Sequence, residues 1–193
     1  MFGGTFCARA GEARCKALPN EDYCLTHHPN PDAAHRRALD FIAGQKGARG
    51  CSLRGLSVES ADWADFEFSD CDLSGISIHG GTLADSRFYL CLFSSAGLRD
   101  VVADRVGMDF CGFAAGTIER CEFTGSNITL VSFNQAAIVD TRFDGSDLFH
   151  SRFVGARLTN VGLIDCNLKG VDFRGSTSEH VGFKYSNVED ALF

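Results

Sequence analysis

The chain has 193 residues, 45% of them apolar and 22% charged, and its formal net charge is −7. That length allows one or two domains, and no apolar run approaches the roughly 18 residues that a membrane-spanning helix needs. No basic stretch followed by an apolar one opens the chain, so no secretory signal is expected; nine cysteines without one point to a reducing cytoplasm.

Residues 1–30 differ in kind from the rest. Cys7, Cys15, Cys24 and His27 are spaced C-x7-C-x8-C-x2-H, and His28 follows at once. The segment from Cys7 through Gly11 to Cys15, with the later Tyr23-Cys24-Leu25-Thr26-His27, resembles a small zinc-binding module. Thirty residues cannot build a core unaided, and a tetrahedral Cys3His site would supply the staple. Four protein ligands leave no open position, so the zinc implied is structural. Two choices stay open on the sequence: His28 in place of His27, and three unrelated cysteines in a loop.

Residues 31–50 read as a helix and a linker. Asn30 is the expected N-cap, with Pro31 at the first helical position and Asp32 in the first turn. Ala34, Ala38, Phe41 and Ile42 share one face, Gly44 is expected to end the helix, and 46–50 is a short basic linker. The helix has a natural task, covering the exposed first turn of whatever follows.

From Cys51 to Phe193 the chain has a period of five. Stepping from Leu53 by fives to Phe193 visits 29 positions, and 28 are apolar, where composition alone would give about 13. Two residues before each such centre stands Ala, Cys, Gly, Ser, Thr or Val, except at Leu56, Phe66 and Ile76, and none of these positions is charged. Five matches neither the 3.6 of a helix nor the 2 of a strand. A fixed short period sustained this far is the mark of a solenoid.

Segments such as Cys71-Asp72-Leu73-Ser74-Gly75, Cys166-Asn167-Leu168-Lys169-Gly170 and Val171-Asp172-Phe173-Arg174-Gly175 resemble the pentapeptide-repeat family. The resemblance covers 51–193 and implies an all-β solenoid, a right-handed quadrilateral β-helix of about seven coils, roughly 34 Å long at strand spacing. Residues twenty apart then stack. One inner column is Leu53, Leu73 and then Phe93, Phe113, Phe133, Phe153, Phe173 and Phe193. Ala103 and Ser178 are expected to be weak spots or small voids in other columns. Cys51, Cys71, Cys91 and Cys111 form another stack, read as reduced core residues.

The surface offers less. Leu90, Phe110 and Leu130 are twenty apart at an outward position, with Tyr89, Leu92 and Phe149 beside them, and together they are a candidate partner-binding stripe. The chain stops in phase at Leu192 and Phe193, an uncapped end expected to pair with a second copy; end-to-end dimers occur in the family. The repeat region carries 20 acidic and 11 basic residues, so it is a poor ligand for nucleic acid. Family members that confer quinolone resistance are thought to imitate DNA toward DNA gyrase, a type II topoisomerase. Duplex DNA of this length carries roughly 20 charges, more than twice the net −9 here. The acidic residues also alternate with basic ones, as in Asp65-Asp85-Arg105 and Asp100-Arg120-Asp140-Asn160.

No nucleophile–base pair, phosphate loop or G-x-S-x-G segment occurs, so the expected function is non-enzymatic: a rigid protein-binding rod, in its narrowest form a DNA-mimicking modulator of a topoisomerase. The alternatives are a nucleic-acid-associated adaptor using Arg9, Arg14 and Lys16 of the zinc module, and a scaffold for an unrelated partner.

Overall fold

The computed structural model describes residues 7–8, 17–19 and 21–193. A 3-10 turn at Leu25–His27 leads into helix α1, Pro31–Gln45. The Asn30 side chain accepts the Ala33 N–H at 3.1 Å, and Pro31 and Asp32 hold the expected first-turn positions. The helix ends one residue beyond the expected stop at Gly44. The helix runs through Gln45, and Lys46 takes the left-handed cap at φ 50°. The residue that must be glycine here is Gly47, at φ +137°, where an added Cβ would stand 1.9 Å from the Glu67 carbonyl oxygen.

The rest is a parallel solenoid with four walls, every paired residue lying opposite the one twenty positions on. The first wall is residues 51–55 and their equivalents in later coils; the second, third and fourth are 56–60, 61–65 and 66–70 and theirs. The fourth wall carries β1 (Gly47–Arg49), β3 (Glu67–Ser69), β5 (Arg87–Tyr89), β7 (Gly107–Asp109) and β9 (Asn127–Thr129). The second carries β2 (Ser57–Asp62), β4 (Ser77–Thr82), β6 (Gly97–Arg99), β8 (Thr117–Glu119), β10 (Ala137–Val139), β11 (Arg157–Thr159) and β12 (Thr177–Glu179), one for each of seven coils. The first and third walls are joined by single bridges such as Ser52↔Asp72 and Thr82↔Val102.

The stretch 46–50, expected as a linker, is instead the first strand of the fourth wall, with Gly47, Ala48 and Arg49 paired to Glu67, Phe68 and Ser69. The phase extends one step further back than Leu53, to a buried Ala48. Helix α1 closes this end: Ala34, Ala38 and Ile42 belong to the same apolar cluster as Ala48, Leu53, Leu56, Phe66 and Ile76.

The inner columns form as the spacing requires. From Phe93 to Phe193 the rings of the first column stack with centroids 4.4–5.7 Å apart and planes within 22° of parallel. Ala103 is fully buried. Ser178 lines no void, because it lies exposed in the last coil.

The small residue before each centre has a second task that its size does not reveal. Ser146 Oγ donates to the Phe123 carbonyl at 2.7 Å and accepts the Ser126 N–H at 2.9 Å. Ser151 links the Ile128 carbonyl and the Val131 N–H in the same way. Cys91, Cys111 and Cys166 donate to the carbonyls of Phe68, Phe88 and Phe143. These groups sit at the bends, where the ladder leaves backbone atoms unpaired, and among the described residues no buried side-chain nitrogen or oxygen lacks a partner. Cys51 Sγ and Cys71 Sγ are 3.8 Å apart, and neither is in a disulfide. Burial pushes the Cys121 and Cys166 thiols up to about 11, which suits inert core residues.

Candidate interaction surface and candidate metal centre

Each wall ends in a residue with left-handed backbone, so the corners fall at every fifth position: Asp65, Asp70, Asp85, Leu90, Ser95, Asp100, Arg105, Phe110 and onward. Asp, Asn and Gly tolerate that conformation, while for other L-residues it costs about 1–2 kcal/mol. Three corner columns carry chiefly small, polar or charged residues. The corner between the fourth and first walls carries Leu90, Phe110 and Leu130 in three successive coils, at φ 53°, 55° and 56°. Phe110 is 51% exposed and Tyr89 48% exposed, and their rings meet edge to face at 6.0 Å. Leu92 lies over Gly112, where an added Cβ would be 3.6 Å from its Cδ2. Phe149 is half-buried against His150, ring centroids 4.2 Å apart. All six stripe residues therefore lie along one edge, a ridge of apolar side chains on strained corners. Position alone could find the stripe in the sequence; the backbone strain could not be read there.

Beside the ridge, a shallow groove of about 540 Å³ opens over Gly107 on the fourth wall, bordered by Asp85, Arg87, Tyr89, Arg105 and Asp109. Several of the remaining charges are paired between coils. Arg105 donates twice to Asp85, at 2.8 and 2.6 Å, and Arg120 twice to Asp100, at 2.6 and 2.8 Å. Those guanidinium groups hold both carboxyls below the usual carboxylate range. Asn160 caps Asp140 at 2.7 Å, Arg99 pairs with Glu119 at 2.6 Å, and His79 sits between Glu59 and Asp100 at 3.2 and 3.3 Å. The two stacks noted in the sequence are ion-pair and hydrogen-bond ladders, not rows of bare acid.

At the other end of the molecule, Cys7, Cys24 and His27 come together, with their ligand atoms within 4.8 Å of one another. The 3-10 turn puts Cys24 and His27 on one side. His27 Nδ1 is 3.3 Å from Cys24 Sγ and 3.6 Å from Cys7 Sγ. Ligands of one tetrahedral zinc, at about 2.3 Å for sulfur and 2.0–2.1 Å for nitrogen, stand about 3.5 Å apart, so this donor set fits that ion. His28 is engaged elsewhere: its Nδ1 accepts the Asn30 N–H at 2.9 Å and its Nε2 faces Glu21 at 3.2 Å. Cys15, Arg9, Arg14 and Lys16 lie outside the described residues.

Phe193 is 72% exposed, with only one ring face on Phe173, and Leu192 is 45% exposed. Among the described residues no helix is long and apolar enough to cross a membrane.

Residues 116–193 match the family model described as the pentapeptide repeat region. No curated protein matches the chain. Among solved structures, full-length QnrB1, a plasmid-mediated fluoroquinolone resistance protein, is similar at 14% identity over 72% of this chain and 68% of that one, with a TM-score of 0.48. Rfr23, a pentapeptide repeat protein from the cyanobacterium Cyanothece 51142, is similar at 12% identity over 80% and 96%, with a TM-score of 0.30. A pentapeptide repeat protein from the Arabidopsis thaliana thylakoid lumen is similar at 17% identity over 62% and 66%, with a TM-score of 0.31.

Proposed function

Because residues 116–193 are a pentapeptide repeat region, in register with the coils back to Ala48, we propose that the chain is a non-enzymatic protein-interaction rod whose contact edge is the Leu90–Phe110–Leu130 corner. One observation carries this reading. Large apolar side chains stand exposed at left-handed corners, where both exposure and backbone conformation count against them. Fold stability gives no reason to place them there, so a partner does. Among the described residues the interior of the coils is packed with buried side chains.

The test replaces Phe110 and Leu130 by Asp together. Asp occupies the same corner at Asp70 and Asp190, so the variant is expected to melt within ~3 °C of the parent or above it. In-cell cross-linking and affinity capture against the parent protein are expected to lose a specific partner by at least about tenfold. Retention of every partner at parental yield sinks the proposal.

Imitation of DNA toward a type II topoisomerase is the narrower form of this reading. The Asp85–Arg105 and Asp100–Arg120 pairs count against it, since a phosphate mimic needs uncompensated carboxylates on one face. Gyrase supercoiling assays with the rod decide the point. The exposed Leu192 and Phe193 of the last coil are proposed to meet a second copy, and sedimentation of a Phe193→Asp variant tests that contact.

The N-terminal cluster is assigned a structural zinc, held by Cys7, Cys24 and His27 with Cys15 as the fourth ligand. Purified protein is expected to hold about one zinc per chain, falling below about 0.2 in Cys24→Ser, while coils far from the module keep their amide protection. A His28→Ala variant is expected to keep its zinc. Equal zinc in parent and Cys24→Ser rules the site out.

A further inference from the structure

Beside the ridge lies a second feature that charge, not hydrophobicity, defines. Residues 90–98, 110–118 and 130–138 contain no Asp, Glu, Lys, Arg or His. In register they make one continuous surface three coils deep: the ridge corner, the whole first wall and the near edge of the second. Away from the ridge its outward residues are small or neutral, such as Ser94, Gly112, Ala114, Ser132 and Asn134. Elsewhere around these three coils, charged residues such as Arg87, Asp104 and Glu122 are spread over the other walls.

The surface is bracketed by opposite charges. The coil before it presents Asp70 and Asp72, and the coil after it presents Arg152 and Arg157. Asp72 already shares Arg54, at 3.2 Å. Asp70 and Arg157 make no ion pair with the described residues, Arg152 stands in register beside Asp172, which is paired to Arg174, and both arginines of this coil are exposed. From the acidic coil to the basic one is four coil steps, about 19 Å at strand spacing.

What can lie here is limited by the backbone. Most N–H and C=O groups of these coils are already paired to the coils on either side, for example Phe113 N–H to the Ser132 carbonyl at 2.6 Å and Gly112 N–H to the Cys91 carbonyl at 3.0 Å. An extended peptide would find no strand edge to join. A partner must satisfy its own backbone, as a helix does. Small side chains on the first wall let a helix approach closely, and the ridge offers an apolar side chain about every 4.8 Å against a helical turn of 5.4 Å.

We infer that the occupant of this surface is one amphipathic helix of about 13 residues from a protein partner, laid along the solenoid axis with its apolar face on the Leu90–Phe110–Leu130 ridge and the first wall, its N-terminal turn at Asp70 and Asp72 and its C-terminal turn at Arg152 and Arg157. The helix macrodipole fixes this direction, because its positive end meets the carboxylates and its negative end the guanidinium groups. Basic residues in the first turn of the partner helix and acidic ones in its last turn reinforce it. The inference rests on the interaction-rod reading and adds to it the class of ligand and its polarity.

The test uses the full chain and a dye-labelled, hydrocarbon-stapled 14-residue helix. The helix carries Leu and Ala on one face, two Lys in the first turn and two Glu in the last, and a second peptide has those charges exchanged. Fluorescence anisotropy is expected to show the first peptide binding at least about fivefold tighter than the second. Ala114→Arg puts a charge in the middle of the wall at a position that holds Arg54 and Arg174 in other coils, so the fold accepts it. It is expected to weaken binding at least about tenfold at unchanged melting temperature. Arg152→Glu with Arg157→Glu leaves both ends of the surface acidic and is expected to abolish the preference, so that the two peptides bind this variant alike.

Failure of the first peptide to bind overturns the inference, as does equal binding of both by the parent protein or indifference to Ala114→Arg. Self-association that Ala114→Arg abolishes makes the occupant a second copy and overturns it too. If cellular partners are lost with Phe110→Asp and Leu130→Asp but kept with Ala114→Arg, the helix is wrong while the interaction rod stands.

Discussion

Gly81→Ala is expected to cost about 3–5 kcal/mol and to unfold the first coils, whereas Gly75→Ala is expected to cost about 1 kcal/mol. Both glycines have positive φ, +93° and +67°, so a rule based on backbone angle alone would rank them together. Space separates them. A Cβ on Gly75 would meet nothing within 4 Å, while one on Gly81 would lie 2.1 Å from the Ala61 carbonyl oxygen and 2.4 Å from its nitrogen. Those are backbone atoms of the coil beneath, and they cannot swing aside as a side chain can. Gly81 also lies within β4, paired to Ala61 of β2, where the ladder continues across the corner instead of breaking. Relief would require separating the two coils. Urea unfolding with hydrogen exchange resolved by coil checks this. Protection should fall in coils 57–62 and 77–82 first, and near-equal costs for the two variants would show that the close approach at Gly81 is absent.

The same contrast marks what could be read in the residues and what could not. The period of five, the inner columns and the helix with its Asn30 cap are legible because they depend on which residue types recur, and burial enforces recurrence strongly. The pattern of large apolar centres starts at Leu53, whereas the coils start at Gly47, where the centre is only the small Ala48. The serine and cysteine positions look like a size restriction, yet Ser146 and Ser151 close the bends with hydrogen bonds, and that needs the geometry of two stacked coils. The stripe was visible as spacing at Leu90, Phe110 and Leu130, but not that these corners are left-handed. Asp85 with Arg105 and Asp100 with Arg120 are legible as opposite charges twenty apart, but not that each pair closes through two hydrogen bonds. At the N-terminal cluster, spacing allowed His27 or His28. The choice of His27 as the proposed ligand comes from where His28 is anchored, on Asn30 and Glu21.

Phe133→Ala is expected to cost about 3–5 kcal/mol, while Phe193→Ala costs under about 1 kcal/mol. The two residues belong to one column and differ in what surrounds them. Phe133 is almost wholly buried. It stacks on Phe113 at 5.7 Å and on Phe153 at 4.9 Å, and it meets Phe143 of a neighbouring column edge to face at 6.0 Å. Truncation removes the transfer free energy of a phenyl ring, leaves a cavity whose walls are the paired coils, and breaks three ring contacts worth about 0.5–1.5 kcal/mol each. The coils cannot close the gap without leaving their hydrogen-bond register. Phe193 has a neighbour on one stacking face only, Phe173 at 5.4 Å, with Phe183 edge-on at 6.0 Å, and most of its surface already meets water. Its loss leaves a notch open to solvent, not a cavity. A solenoid unfolds by coupled neighbouring units, so the interior variant should lower protection on both sides of coil 131–150 and the terminal one only in the last coil. Comparable costs for the two would mean that residues twenty apart do not stack, and the ridge, the uncharged wall and its bracketing charges would then lose the register that aligns them.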